Sequence, residues 1–99
     1  MAERFGTEIS FRLGQGTEDE AREIAGRLAA AAAGALRHVL FVDAERGEYG
    51  CLAEWDRPDA ADAYAALPAV GRELEALEAR TGRPARVRRY GMEEVPPGV

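Results

Sequence analysis

The chain has 99 residues, with 18 acidic side chains against 13 arginines and no lysine, giving a formal net charge of -5. An acidic surface repels phosphate, which argues against nucleic acid held over a broad face. An apolar fraction of 46% argues against disorder, and the single cysteine, Cys51, leaves no internal disulfide and no multi-cysteine zinc site.

This length predicts one domain over residues 1–99, with a core from about 7 to 92 and an irregular tail at 93–99. Twenty of the apolar positions are Ala, so bulky core residues are scarce. A second subunit covering a sheet face would add to that supply. The sequence has no apolar run long enough for a membrane span, and the N-terminus lacks the basic, apolar, small-residue order of a secretory signal. Together with the lone cysteine, this predicts a cytoplasmic protein with no membrane partner.

Residues 7–13, TEISFRL, alternate as a strand, with Thr7, Ile9, Phe11 and Leu13 on one face and Glu8, Ser10 and Arg12 on the other. GQGTEDE then breaks the strand and opens a helix. Thr17 with Glu20 reads as a capping box, and Glu18 and Asp19 complement the positive helix end. Apolar residues then recur with helical spacing at Ala21, Ile24, Ala25, Leu28, Ala31, Ala32 and Ala35, and Gly34 is the expected stop. RHVLFVD is the second strand, ERGE a turn and YGCLAEW the third strand, so the last two form a hairpin. The second helix opens near Asp56-Arg57-Pro58, with Ala61, Tyr64 and Leu67 inward. Pro68 interrupts it before a continuation that carries Val70, Leu74 and Leu77. TGRP ends that helix at Gly82, and ARVRRYGM is the fourth strand.

The order β-α-β-β-α-β predicts a ferredoxin-like α+β plait: a four-stranded antiparallel sheet, strand order 4-1-3-2, with two helices on one face. That order leaves the second strand at an edge although VLFV is apolar on both sides, so a homodimer with facing sheets is expected. Arg12 and Glu54 are expected as a cross-strand pair on the face away from the helices. The cluster Arg83, Arg86, Arg88 and Arg89 reads as solvated or ion-paired strand surface, with an anion site as the alternative.

Three stretches resemble the antibiotic biosynthesis monooxygenase family of dimeric α/β-barrel proteins. These are GQGTEDE after the first strand, EYGCLAEWDRPDAADAY across the third strand and second helix, and LPAV at the helix break. The resemblance covers roughly residues 7–92 and implies the ferredoxin-like plait and a twofold barrel. It also implies membership of a group that includes cofactor-independent oxygenases of polycyclic phenols, quinol oxygenases and haem-degrading enzymes. In the haem-degrading branch an Asn on the first strand and an iron-ligating His on the second helix act on haem. The matching positions here are Ile9 and Leu74, neither of which can serve. Other members carry a His early in the second helix, where Tyr64 stands here.

Candidate site residues follow from both lines. His38, the sole imidazole, is the one side chain that could act as a general base near neutral pH without a perturbed pKa. Trp55 reads either as a wedge where strand meets helix or, by the resemblance, as a wall of a ligand cleft. Ile9, Phe11, Cys51 and Ala53 share its sheet face, and Tyr64, Leu67 and Val70 come over that face from the helix. The set predicts an apolar pocket for a small aromatic ligand. Cys51 in mid-strand reads as a small hydrophobe. The sequence carries no recognisable metal cluster, catalytic triad or phosphate-binding loop, and no cofactor is expected. Two functions are in play: a cofactor-independent monooxygenase of an aromatic or quinol-type molecule, and a non-catalytic binding or accessory protein of the same fold.

Overall fold

In the computed structural model, residues 3–98 are described. They form β1 (Arg4–Arg12), α1 (Glu18–Ala31), β2 (Arg37–Asp43), β3 (Glu48–Trp55), α2 (Pro58–Ala65), α3 (Pro68–Thr81) and β4 (Arg86–Met92). The four strands make one antiparallel sheet in the order β2-β3-β1-β4, so the ferredoxin-like plait is present. Residues 93–98 lie outside any helix or strand, and the expected tail residue Val99 lies outside the described residues.

Strand alternation decides which face is covered. Ile9 pairs with Cys51 and Phe11 with Tyr49, which puts the apolar sets of β1 and β3 on the helix side. There they join Ala21, Ile24, Ala25 and Leu28 of α1, Ala61 and Tyr64 of α2, and Val70 and Leu77 of α3 in one core. Fully burying a residue such as Leu28, Ile9 or Val70 contributes about 1.5–3 kcal/mol each. The alanines of α1 let its backbone lie close to the sheet. Thr7 is the buried polar residue of this layer, and its hydroxyl donates to Ala61 O at 3.1 Å, tying β1 to α2.

Several local details differ from the sequence reading. Thr17 stands at the N-cap but its side chain makes no cap bond: its hydroxyl donates backwards to Gly14 O at 2.6 Å and lies 2.9 Å from the Tyr49 hydroxyl. Glu20, the other half of the expected capping box, instead takes a two-pronged bond from Arg80 at 3.1 and 3.2 Å, joining α1 to α3. A long-range Arg fork on a carboxylate supplies charge-assisted bonds that a local cap does not. The α1 helix also stops at Ala31, ahead of Gly34, which takes φ 88 in the following turn. The interruption at Pro68 is complete: Ala66 and Leu67 separate two helices, and Pro68 stands in the first turn of the second. At the far end, Gly82 closes α3 in the left-handed conformation, as TGRP suggested.

The expected Arg12–Glu54 pair does not form, because the register places those residues at opposite ends of β1 and β3. Arg12 lies opposite Glu48, with their charged groups 3.9 Å apart, while Glu54 lies opposite Gly6 and accepts from Arg37 on β2 at 3.2 Å. The sheet face away from the helices is open in the single chain. Its edge strand β2 exposes Phe41 at 49%, and Tyr90 on β4 is also exposed.

Candidate functional site

The strands and α2 bring the sequence-derived site residues together. Ile9, Phe11, Cys51, Ala53 and Trp55 lie on the helix side of β1 and β3, and Tyr64 and Val70 close over them. All seven are buried and fill the space with their own side chains. Leu67, in the break between α2 and α3, is instead exposed. The rings of Trp55 and Tyr64 stack at a tilt, 5.3 Å between centroids. The Tyr64 hydroxyl donates to Leu28 O at 3.1 Å, and burial pushes its pKa up to about 12, so it stays protonated. Burial, with a smaller push from Glu8, likewise raises the Cys51 thiol to about 12, which removes thiolate chemistry at neutral pH.

Two polar atoms in this layer stand apart. The Trp55 indole Nε1 and the His38 Nε2 are buried, and neither has a hydrogen-bond partner among the described residues. His38 pairs with Ala53 across β2 and β3, so it and Trp55 are diagonal neighbours on the helix-side face. Burial lowers the His38 pKa below 6.5, which keeps the imidazole neutral at pH 7. An unmet buried donor or acceptor costs roughly 1–3 kcal/mol, so two unmet polar atoms on neighbouring positions mark a place suited to a polar guest atom. Alternation in the third strand puts Trp55 on this face, whereas the sequence places His38 only at the opening of the second strand; the missing partners are visible only once the helices are packed.

A second feature lies at the end of the sheet. A depression of about 870 Å³ runs from the β2–β3 hairpin past the end of β1 to the α3–β4 turn. Of the eight residues expected to bind substrate, Phe11 alone lines it. Its charged residues, Arg83 and Arg86 among them, come from the open sheet face and the α3–β4 turn. The arginine-rich run and the two-sided apolar edge were legible in the sequence, but that they meet was not. Of that run, Arg89 pairs with Asp62 of α2 at 2.7 Å.

No protein-family profile matches the chain, and no curated protein does. Solved structures do. One from Deinococcus radiodurans, provisionally assigned as an antibiotic biosynthesis monooxygenase, superposes with a TM-score of 0.74 at 18% identity, covering 96% of this chain and 98% of that one. The fold is that of the antibiotic biosynthesis monooxygenases. Rv0793 from Mycobacterium tuberculosis is similar in fold, with a TM-score of 0.70 at 14% identity over 93% of this chain and 97% of its own. So is a mutant of SnoaB, a cofactor-independent oxygenase from Streptomyces nogalater, at 0.69 and 21% identity, over 98% of this chain and 100% of that one. The resemblance read from GQGTEDE and EYGCLAEWDRPDAADAY therefore extends over nearly the whole chain at the level of fold.

Proposed function

We propose that this chain is a small cofactor-independent monooxygenase that takes an aromatic or quinol-type molecule between the sheet and α2. The observation that carries this reading is the pair of buried, unpartnered atoms, Trp55 Nε1 and His38 Nε2, on one sheet face. A phenol or quinone oxygen entering there accepts from the Trp55 N–H. The neutral His38 imidazole has a lone pair that can take the phenolic proton. The resulting substrate anion reduces dioxygen itself. One oxygen atom enters the ring as a carbonyl, and the other leaves as water with the two hydrogens the substrate loses. The protein need only bind, stabilise charge and exclude water, tasks that suit walls such as Ile9, Phe11 and Ala53. Likeness in fold to SnoaB, a cofactor-independent oxygenase, supports the same reading. The exposed break at Ala66–Leu67 is the natural entrance, since α2 is a separate eight-residue helix that can shift on it.

The filled cleft favours a second reading, a non-catalytic binding or accessory protein of the same fold. Oxygen uptake separates the two. An anthrone consumed faster with the protein than without it, yielding the quinone and water, supports the oxygenase. Binding with no acceleration supports the accessory protein.

The reading includes a cytoplasmic homodimer whose open sheet faces meet. Phe41 and Tyr90 are exposed there, and Arg86 and Arg88 stand on the same face as Glu8 and Glu48. Sedimentation equilibrium should give twice the chain mass at micromolar concentration, and a stable monomer would remove the dimer. Among the described residues no helix is long and apolar enough to cross a membrane. A haem titration should give no His-ligated spectrum and no reductant-driven ring opening, because Ile9 and Leu74 offer no ligand atom where the haem-degrading branch has Asn and His. A tight, His-ligated complex that turned over would overturn this and point to His38.

A further inference from the structure

We infer that Tyr64 is a built-in plug: its ring holds the place of a phenolic ligand, which binds by displacing it from Trp55 and from Leu28 O. The inference rests on the reading that a ligand enters between the sheet and α2, but not on any turnover there. Three features of one spot carry it. Tyr64 is itself a phenol, 2% exposed, with its ring against the Trp55 indole at 5.3 Å between centroids. The indole is 4% exposed, and its Nε1 has no hydrogen-bond partner among the described residues. The Tyr64 ring therefore covers Trp55 without meeting its one polar atom. A guest phenol is not tethered to α2, so it can cover the same ring and turn its oxygen toward the indole N–H.

The polar contact that Tyr64 does make is a replaceable one. Its hydroxyl donates to Leu28 O at 3.1 Å. Leu28 lies in the last turn of α1, and the Ala32 N–H that would serve its carbonyl goes to Ala29 O instead. Carbonyls of a last helical turn lack a partner within the helix, so they take a donor from a side chain, water or a ligand. Once Tyr64 leaves, Leu28 O is met by water or by the second hydroxyl of a quinol. The α2 helix is also held unevenly. Near its start the Thr7 hydroxyl donates to Ala61 O at 3.1 Å, and Arg89 pairs with Asp62 at 2.7 Å. At its end the tie is the Tyr64 bond itself, and Ala63, Ala66 and Leu67 around it are exposed. Swinging Tyr64 outward therefore moves the last turn of α2 and the Ala66–Leu67 break, with the Thr7 anchor as pivot. A flat ring in the vacated space restores the contact with the indole and much of the apolar burial. Among the described buried residues this layer is apolar apart from Thr7, so the guest enters as an uncharged phenol or quinol.

The test is a titration of 2-naphthol into the isotope-labelled full chain, under argon so that no oxidation intervenes, with Tyr64→Phe titrated alongside. Trp55 is the sole tryptophan, so a single indole N–H signal reports on the site. In the unaltered protein that signal should move downfield and saturate, with amide shifts at residues 28–32 and 63–67 and a Kd of about 1 mM or tighter. Tyr64→Phe keeps the ring but loses the bond to Leu28 O, which raises the fraction of molecules with the plug out. It should bind 2-naphthol roughly fivefold more tightly, the equivalent of one net hydrogen bond. Three results would overturn the inference: no indole shift at millimolar probe, an indole shift without shifts at 63–67, or equal or weaker binding by Tyr64→Phe. The first two use the unaltered protein, so the matter is decided even if the variant fails to fold. The oxygenase reading fails separately, on oxygen uptake that is not accelerated, and a working plug is compatible with that outcome.

Discussion

Replacing His38 with Gln should slow the protein-dependent oxidation of an anthrone by about 10²–10⁴-fold, the usual contribution of a positioned general base. Gln preserves a polar side chain of similar size on the helix-side face of β2 but cannot take a proton. The pH profile is the sharper readout. Burial lowers the His38 pKa, so the active neutral form persists below pH 6.5 and is lost as pH falls through the depressed value. The wild-type rate should therefore show an acidic limb centred below 6.5, absent from the Gln variant. The same shift bears on stability. The unfolded chain, titrating near 6.5, takes up the proton before the folded one, so the fold should lose stability as pH falls from 6.5 toward the folded pKa. Equal rates and identical profiles for the two proteins would remove His38 from the chemistry and leave the accessory reading.

How much of this was legible in the sequence depended on the range of the interaction involved. Alternation in TEISFRL and YGCLAEW settles which side chains of β1 and β3 face the helices, because a strand has a two-residue period and one buried face. The topology followed from element order, and β2 reached the edge as expected. What failed were pairings that depend on register or on competition. Arg12 and Glu54 share a face, but the antiparallel register sets Glu54 opposite Gly6, at the other end of β1 from Arg12, and Glu48 and Arg37 are their neighbours instead. Thr17 and Glu20 have the spacing of a cap, yet Gly14 and Arg80 compete for them from outside the helix. The candidate cleft shows the same limit. Its members were readable from periodicity, while its filling by Trp55 and Tyr64 depends on how far α2 stands from the sheet. No local pattern encodes that distance. The depression lined by Arg83, Arg86 and Phe41 joins three segments distant in sequence, so composition could flag the arginines but not their company.

Gly47→Ala should be the most damaging single-methyl addition in the β2–β3 turn, at about 3 kcal/mol. Gly47 has φ 64, a conformation that costs an L-residue about 1 kcal/mol. Space is the larger obstacle. A Cβ at Gly47 would lie 1.9 Å from Gly14 O and 2.0 Å from its carbonyl carbon, and backbone on both sides leaves no flexible side chain to yield. The hairpin would have to lift from the β1–α1 loop. That movement breaks the bonds by which Gly47 O accepts from Leu13 N–H at 2.9 Å and from Gly14 N–H at 3.3 Å, each worth about 1 kcal/mol. For a domain of this size the sum corresponds to a fall in Tm of roughly 12–24 °C. Gly14→Ala is the control. Its φ of 98 carries the conformational cost, but nothing lies within 4 Å of its Cβ, so it should lose only about 1 kcal/mol, or roughly 4–8 °C. The difference between the two variants isolates the contact between hairpin and loop. That contact holds Leu13 and Gly14 against the hairpin at the rim of the depression. Thermal denaturation of both proteins decides it: equal losses would mean that the hairpin does not depend on this contact, and that the methyl at Gly47 is absorbed by a turn looser than its hydrogen bonds imply.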